Sequence, residues 1–346
     1  MMNTYSLKTT AHLSKCIMFL ITIFLSGCNQ QSNDIINING ATMGTTFSVQ
    51  IVNNKLNSNK KTLEEKITDI LVGVNKKMST WDSASEISKI NNMPVGHWVP
   101  VSSDSIFIYS LANAVSKKTN GAFDITTGNL IELWGFTTND INNVIPSENE
   151  IKQAILNVGY EKLLINEMKS AVYKKYPFKL DLSAIAKGYA VDKIAEYLNK
   201  NKISAYLVEV GGEIRVKGKK RDEKKWKVAI ETPLIQDRKA IKVINITDHA
   251  IATSGDYRNY YEIAGQRYSH TIDPFTGKPI THNLSSVTVI SNTSAYADAI
   301  ATALMVMGVD KGIKFCEKNG IPAYFIYKQD NKFKVSMTRN FKKFLQ

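Results

Sequence analysis

The spacing of apolar residues along the chain predicts strands and helices that do not strictly alternate. Apolar and polar residues alternate over 45–52, which predicts a strand, whereas apolar residues recur at helical spacing over 63–79 and 105–121. The segment 178–182 predicts another strand, which leads directly into a helix that begins near Ser183. A mixture without regular strand–helix alternation favours the α+β class.

The second half of the chain continues this mixture. Two predicted strands flank a Gly-Gly turn in 205–218, and KWKVAIETP and KAIKVINIT are predicted to extend the same sheet. A strand, two helices and a final pair of strands follow. The polar tract 139–149 is predicted to be a surface loop. Because the sequence shows no internal repeat and no break in composition, we expect a single folded unit.

The first residues of the chain have the pattern of a targeting segment. Lys8 and Lys15 precede a short apolar run that ends in Leu25-Ser26-Gly27-Cys28. This run is too short to span a bilayer, which takes about 20 apolar residues. Its end resembles a bacterial lipobox, in which the cysteine thiol is acylated and begins the mature chain; a plain cleaved signal peptide is the alternative.

These features predict the organisation of the whole chain. We expect a signal peptide over 1–27, a polar tether over 28–36 and a folded domain over 37–346. The mature protein is expected to be a membrane-anchored lipoprotein that faces the periplasm or lies outside the cytoplasm, held by lipid on Cys28.

Composition and charge narrow the possible partners. The 346 residues carry a net charge of +13, with lysine and asparagine spread along the chain. Evenly spread lysine is typical of genome base composition rather than of nucleic-acid binding, but the charge is compatible with anionic ligands or an anionic membrane surface. Cys16 would leave with the signal, and Cys28 would carry lipid. Only Cys316 remains, as an expected core residue, which excludes an intramolecular disulfide and a cysteine metal cluster.

One carboxylate interrupts an apolar helix near the C-terminal end. In SAYADAIATALMVMG, Asp298 and Thr302 share one helical face among alanines. A buried carboxylate needs a hydrogen-bond donor, a cation or a metal. One interpretation is a first-turn aspartate favoured by the helix dipole, with Thr302 bonded to a main-chain carbonyl. The other is an oxygen site for Mg²⁺, which takes few protein ligands and leaves positions for phosphate oxygens.

Two further residues are candidates for a functional site. Lys187 falls in the first turn of the helix after Ser183, where the dipole disfavours a cation unless an anion binds there too. A salt bridge with Asp181 is the alternative explanation. His270 lies in RYSHTIDP and is either structural or part of a site. The GxGxxG, P-loop, HExxH and CxxC signatures are absent from the sequence.

Eight segments are distinctive when taken together. They are ATMGTTFSV, MSTWDSASEISKIN, GAFDITTGNLIELWGF, LDLSAIAKGYAVDKIA, YLVEVGGEIRVKG, ATSGDYRNYYE, RYSHTIDPFTGKPI and ADAIATALMVMG. In this order they resemble the motifs of the ApbE family, the bacterial FAD:protein FMN transferases, from about residue 40 to about residue 337. The resemblance implies a single α+β unit that holds FAD in a cleft, with Mg²⁺ at the diphosphate.

The resemblance also assigns roles to residues of this chain. It implies FAD contacts at Met43, Trp81, Ala122, Phe123, Asp124, Asp181, Lys187 and Ile272. It implies Mg²⁺ ligands at the main-chain oxygen of Ala184 and at the side chains of Asp298 and Thr302. His270 matches the histidine proposed to act as base in the family. The implied reaction is attack by a threonine or serine hydroxyl of an acceptor redox protein on the FMN phosphorus of FAD, with AMP leaving.

Two positions depart from the family pattern. Trp81 stands where tyrosine is common, which keeps a stacking surface but loses a hydroxyl, and Asn129 stands where proline is common. The acceptors of the family carry an Asp-x-x-Thr/Ser-Gly-Ala-Thr/Ser type of motif. The stretch 124–128 imitates its first part but continues with Asn129-Leu130, so self-flavinylation is not expected. Two other functions stay open: Mg²⁺-dependent hydrolysis of FAD to FMN and AMP, and binding of FAD without catalysis.

Overall fold

A computed structural model describes residues 35–52, 59–137, 145–234, 239–256, 260–263, 266–330 and 332–345. The predicted signal peptide and Cys28 lie outside the described residues. The first described strand begins at Ile35, inside the stretch 28–36 that was expected to be a tether. Among the described residues, no helix is both long enough and apolar enough to cross a membrane.

The helices and strands of the described residues follow one another along the chain. The α-helices are α1 (Lys60–Met78), α2 (Glu86–Asn92), α3 (Ser103–Lys118), α4 (Gly128–Leu133), α5 (Glu148–Ile155), α6 (Ala186–Lys200) and α7 (Ser294–Asn319). The strands are β1 (Ile35–Thr42), β2 (Thr45–Val52), β3 (Trp98–Pro100), β4 (Leu163–Asn166), β5 (Ala171–Lys174), β6 (Tyr206–Val210), β7 (Glu213–Lys217), β8 (Trp226–Glu231), β9 (Ala240–Ile246), β10 (Ala250–Gly255), β11 (Tyr260–Ile263), β12 (Gln266–Ser269), β13 (Ile272–Asp273), β14 (Lys278–Pro279), β15 (Leu284–Ser291), β16 (Ala323–Gln329) and β17 (Lys332–Met337).

An eight-stranded antiparallel sheet organises the domain. Its strand order is β1-β2-β6-β7-β10-β15-β16-β17. Successive residues of a strand point to opposite faces, and here both faces are buried. Val208 and Val289 pack into the main core with the helices, whereas Leu207 and Ile290 pack into a second core on the other face. These mixed helices and antiparallel strands confirm the predicted α+β class.

Two predictions about the sheet are wrong. The segment 178–182 is an extended loop rather than a strand. Its backbone bonds to side-chain amides, because the Asn91 amide both accepts from the N–H of Leu180 (2.7 Å) and donates to its carbonyl (2.9 Å). The predicted strands KWKVAIETP and KAIKVINIT do not extend the large sheet. They form a separate hairpin, β8–β9, which covers the second core with the buried Trp226.

Other predicted elements are confirmed, with shifted ends. The predicted helix near Ser183 begins at Ala186, and the two predicted C-terminal helices are two parts of α7 that meet at Gly308. Gly308 has φ 72° and ψ −175°, a left-handed conformation that glycine adopts without strain. Cys316 is fully buried in α7, as expected. Part of the tract predicted as a surface loop is helical, since α5 begins at Glu148.

Candidate active site

A cleft of about 320 Å³ opens at one end of the large sheet. It lies where the Gly211–Gly212 turn, the first turn of α6 and the first half of α7 meet. All predicted site residues of the described chain line it except Met43 and Trp81. Those residues are Ala122, Phe123, Asp124, Asp181, Ala184, Lys187, His270, Ile272, Asp298 and Thr302. Segments that are far apart in the sequence therefore meet in one place.

Lys187 forms an ion pair with a residue that sequence reasoning did not assign to the site. Its Nζ lies 2.5 Å from Oε1 of Glu213, the first residue of β7, whose side chain is only 3% exposed. The alternative of a salt bridge between Lys187 and Asp181 is wrong. Asp181 instead accepts hydrogen bonds from the N–H of Ser183 (2.8 Å) and from its hydroxyl, which fixes the turn before α6.

Asp298 is buried, and it caps a helix other than its own. Its Oδ2 accepts a hydrogen bond from the N–H of Gly188 (3.1 Å) in the first turn of α6, where main-chain N–H groups lack helical partners. The interpretation of Asp298 as a first-turn residue of its own helix is wrong, because α7 begins at Ser294. Thr302 also departs from that interpretation, since its hydroxyl lies 3.2 Å from the hydroxyl of Ser254.

Each of the helices α6 and α7 supplies a carboxylate that caps the N-terminus of the other. Asp192 of α6 accepts hydrogen bonds from the N–H groups of Ser294 (3.0 Å) and Ala295 (2.9 Å), which open α7. Asp298 of α7 caps α6 in return. The contact is so close that a Cβ on Gly188 would lie 2.5 Å from the carbonyl oxygen of Ser294. Glycine is therefore required at position 188, and the helix ends that border the cleft are fixed in position.

Three coupled ionisable groups dominate the electrostatics of the cleft. Burial lowers the pKa of Lys187, but Asp298 and Glu213 together raise it above its ordinary value. Burial also raises the pKa of Asp298 and of Glu213, and the positive charge of Lys187 opposes both shifts. One lysine thus faces two buried acids. The excess acid favours an additional cation or a proton at this place.

The GAFD loop and His270 form other walls of the cleft. Both carboxylate oxygens of Asp124 accept main-chain N–H groups, one from Thr126 (2.8 Å) and one from Tyr160 (2.8 Å), and burial raises the pKa of Asp124. His270 is half-buried and borders the cleft between β12 and β13. Its neighbour Thr271 donates its N–H to the hydroxyl of Ser269 (3.2 Å), which holds the backbone beside the histidine.

Trp81 and Met43 lie outside the main cleft. Trp81 is 66% exposed and borders a second cavity of about 240 Å³. Asp181 lines both cavities, so the two are adjacent. Met43 occupies the turn between β1 and β2 with φ 51°. That turn leads into β2, whose Thr46 carbonyl accepts the N–H of Gly211, a residue of the cleft wall.

Asn129, which departs from the family pattern, has a structural role. Its side chain accepts the N–H of Lys179 (2.5 Å) and donates to the carbonyl of Pro177 (3.1 Å). These hydrogen bonds fix the position of the extended loop that contains Asp181, a residue of the cleft wall.

The oxygen atoms at the end of the cleft suit a hard divalent cation. Within the described ranges, no three side chains of His, Cys, Asp or Glu converge as a metal site. The predicted set instead combines one carboxylate, the Thr302 hydroxyl and a main-chain oxygen, donors that Mg²⁺ accepts while keeping places for water or phosphate. Oε2 of Glu213 is buried without a hydrogen-bond partner among the described residues. This unpaired acidic oxygen beside Asp298 fits the presence of a cation.

Several lining residues were missed by sequence reasoning. Glu213, Thr253, Ser254 and Thr271 all border the cleft. Glu213 had a weak signal, an acid that directly follows a Gly-Gly turn at the start of a strand. The hydroxyl residues had no such signal, because serine and threonine are common in strands and loops and only the fold brings these three together.

A comparison with protein families identifies the chain. A model described as the ApbE family matches residues 43–325. The chain belongs to the ApbE family. Proteins named FAD:protein FMN transferase are similar to this ApbE chain over nearly its whole length. The protein of Vibrio cholerae is 40% identical over 325 residues, covering 93% of this chain and 96% of the relative. That of Haemophilus influenzae is 38% identical over 337 residues, covering 96% and 97%.

Solved structures of the ApbE family share the fold. The apo form of the flavinyl transferase ApbE of Pseudomonas stutzeri has a TM-score of 0.84 at 35% identity, covering 90% of this chain and 97% of that one. The flavin transferase ApbE of Vibrio cholerae has a TM-score of 0.83 at 39% identity, covering 90% and 99%. The likeness therefore extends over nearly the whole described fold.

Proposed function

We propose that this protein transfers the FMN moiety of FAD onto a threonine or serine hydroxyl of an acceptor protein, releasing AMP. The observation that carries the proposal is the convergence in one cleft of a lysine at a helix N-terminus, two buried acids and a half-buried histidine. The names of the relatives, FAD:protein FMN transferase, agree with this chemistry.

The reaction is a phosphoryl transfer, in which positioning and charge neutralisation supply most of the catalysis. Lys187, in the first turn of α6, would hold the diphosphate of FAD, because a cation and the positive end of a helix dipole both favour phosphate. His270 would take the proton of the acceptor hydroxyl as its oxygen attacks the FMN phosphorus. The bond from that phosphorus to the bridging oxygen breaks, and AMP leaves with that oxygen.

Mg²⁺ is part of the proposal. Asp298, Thr302 and the main-chain oxygen of Ala184 would hold it, and Glu213 lies close enough to set the local charge. Bound there, the ion would act as a Lewis acid that neutralises diphosphate charge. The other residues of α7 that border the cleft are Thr302 and Val306, whereas the alanines on either side of Asp298 pack into the main core.

Trp81 would extend the binding site beyond the main cleft. We infer that one planar ring system of FAD stacks on this exposed indole, since Asp181 borders both cavities. Tryptophan offers a larger stacking face than the tyrosine common at this position, so the substitution keeps the proposed contact.

The proposal has a direct test. The protein is incubated with FAD, Mg²⁺ and an acceptor domain that carries the hydroxyl motif, and the intact acceptor is weighed. Transfer predicts a mass gain of one FMN. Free FMN and AMP with an unmodified acceptor would instead indicate hydrolysis, and no AMP at all would indicate FAD binding only. A His270→Gln variant should bind FAD normally but lose transfer by about 10²–10⁴-fold, the usual contribution of a general base.

We also propose that Cys28 carries lipid and anchors the protein outside the cytoplasm. The sequence Leu25-Ser26-Gly27-Cys28 after a short apolar run supports this. Labelled palmitate should enter the wild-type chain and not the Cys28→Ser variant, and only the wild type should fractionate with membranes. Equal labelling of both would contradict the anchor.

A further inference from the structure

Positive charge concentrates in one segment of the chain, between β7 and β8. The cationic segment, residues 217–227, runs from the last residue of β7 to the second residue of β8 and contains seven lysine or arginine residues and two acids. The lysines of this protein are therefore not spread as evenly as the composition suggested. Of the two acids, Glu223 already pairs with Lys219 at 2.6 Å. The segment retains a large excess of positive charge.

The structure holds these charges at the surface. Trp226 is buried in the second core and donates its indole N–H to the carbonyl of Lys217 (3.1 Å), which closes the segment into a loop. Lys224, Lys225 and Lys227 are exposed around a shallow depression of about 450 Å³, which Lys220 and Asn245 complete. The charged groups thus point outward from a fixed base.

A second element adds positive charge to the same end of the molecule. The C-terminal 3₁₀ helix, Phe341–Phe344, packs on the second core, and the ring of Phe344 lies 5.1 Å from that of His249. His249 follows β9, and its carbonyl accepts the N–H of Val216 beside the cationic segment. Lys342 and Lys343 of this short helix are exposed.

The described chain begins at this same end of the sheet, with Ile35 as the first residue of β1. Ile36 pairs with Ile51, Ile51 with Tyr206, and Tyr206 with Lys217, so four neighbouring strands bring the start of β1 level with the cationic segment. Three strand spacings separate them, about 15 Å. Cys28 precedes Ile35 by seven residues, so a fully extended chain would reach at most about 25 Å.

The cleft lies at the opposite end of the same strands. β6 runs from Tyr206, beside the cationic segment, to Val210, next to the Gly211–Gly212 turn. β7 runs back from Glu213 in the cleft to Lys217. An acceptor that uses the cleft therefore does not approach through the cationic segment.

We propose that the cationic segment docks on the anionic phospholipid surface of the membrane that holds the lipid anchor, and directs the cleft away from it. The lipid anchor on Cys28 proposed above would keep this end of the sheet near the headgroups, where each lysine or arginine contributes about 1 kcal/mol of attraction to anionic lipid. The phosphate headgroups are complementary in charge to the segment. An acidic protein partner would explain the charge but not its position beside the tether.

Vesicle flotation of the chain from residue 29 onward tests this docking without the lipid anchor. This chain retains the fold, since Ile35–Gln346 is a compact unit and its core residues lie between Ile36 and Leu345. It should bind vesicles of phosphatidylcholine mixed with phosphatidylglycerol but not phosphatidylcholine alone, and high salt should release it. The triple variant Lys224→Gln, Lys225→Gln, Lys227→Gln should bind about 100-fold more weakly, about 5-fold for each charge removed.

A matched variant controls for net charge. Lys117→Gln, Lys152→Gln, Lys169→Gln removes the same charge from exposed positions on other elements and should bind like the wild type. An equal loss in both variants, or no preference for phosphatidylglycerol, would overturn the proposal. So would a triple segment variant that still binds vesicles but no longer modifies the acceptor in lipid-free solution, because the segment would then be an acceptor-docking surface. Vesicle binding needs no FAD, so the result is independent of the proposed transfer activity.

Discussion

At the scale of single residues, Asp298 caps a helix and also contributes charge to the cleft, although the sequence alone left a helix-terminal role and a metal site as alternatives. Its carboxylate satisfies the N–H of Gly188 and also supplies negative charge to the cleft. The sequence could show that a buried carboxylate there needs a partner, but it could not show that the partner belongs to another helix. Glu213 was missed for the same reason, because only the fold brings β7 against Lys187.

The two tasks of Asp298 can be separated by substitution. Asp298→Asn keeps an oxygen that can accept the N–H of Gly188, so the fold should persist, but it loses the charge that would bind Mg²⁺. We expect Mg²⁺-dependent release of AMP from FAD to fall about 100-fold or more. Release of AMP is measured by chromatography, with thermal unfolding as the check on folding.

Asp192→Asn is the matched control. Asp192 is also a buried carboxylate that caps a helix, and it pairs with Arg215 at 2.7 Å, but it does not line the cleft. This variant should lose about 1–3 kcal/mol of stability, because one main-chain N–H at the start of α7 loses its acceptor, and yet turn over FAD when folded. A wild-type rate in Asp298→Asn would remove Asp298 from the metal site.

At the scale of elements, the sequence predicted well the helices and strands whose regularly spaced apolar residues pack into the core. The helices α1 and α3 and the strands β2, β6 and β7 lie where apolar spacing placed them. The segment 178–182 was wrongly predicted because its alternation is that of a strand. Its hydrogen bonds go instead to the side chains of Asn91 and Asn129 and to the main chain of the loop 125–128. Side-chain amides that replace a neighbouring strand leave no periodic signal.

The close contact between α6 and α7 should make Gly188→Ala destabilising, and Gly73→Ala in α1 is its control. Gly188→Ala would place Cβ 2.5 Å from the main-chain oxygen of Ser294, so the helices must separate. We expect a loss of about 1–3 kcal/mol in the free energy of unfolding. Gly73→Ala in α1, where nothing lies within 4 Å of the new Cβ, should instead stabilise by up to about 1 kcal/mol. Urea unfolding measures both, and a neutral Gly188→Ala would contradict the close packing.

Asp104, in the first turn of α3, makes the free energy of unfolding depend on pH. Although burial opposes it, hydrogen bonds from Lys77 and Tyr189 and the charge of Lys193 lower the pKa of Asp104 from 3.8 to about 2. A folded-state pKa below the ordinary value means that the stabilisation is complete above about pH 4 and is lost as the pH falls toward 2. Asp104→Asn should therefore cost about 1–2 kcal/mol near pH 7, with a difference from the wild type that shrinks between pH 4 and pH 2.

A surface acid provides the comparison for Asp104. Asp69→Asn removes an exposed pair with Lys66, 3.4 Å away, and should change the free energy of unfolding by less than about 1 kcal/mol. Guanidinium unfolding at a series of pH values distinguishes the two variants. A constant difference between Asp104→Asn and the wild type across this range would show that the ion pairs do not contribute.

At the scale of the whole molecule, the large sheet separates two regions of different chemistry. One end of β6 and β7 meets the cleft, and the other meets the cationic segment and the start of the chain. The residues named from the family resemblance line this cleft, except Met43 and Trp81. The resemblance could not predict the cationic segment, whose position beside β1 depends on strand order and register.

The balance between AMP released and FMN bound tests the proposed transfer most directly. In one reaction with FAD, Mg²⁺ and excess acceptor domain, AMP is quantified by chromatography and FMN on the acceptor by intact mass. The account predicts one AMP for each FMN on the acceptor, at a threonine or serine, and both products formed about 10²–10⁴-fold more slowly with His270→Gln. Release of AMP without a mass gain on the acceptor, at every acceptor concentration, would contradict it.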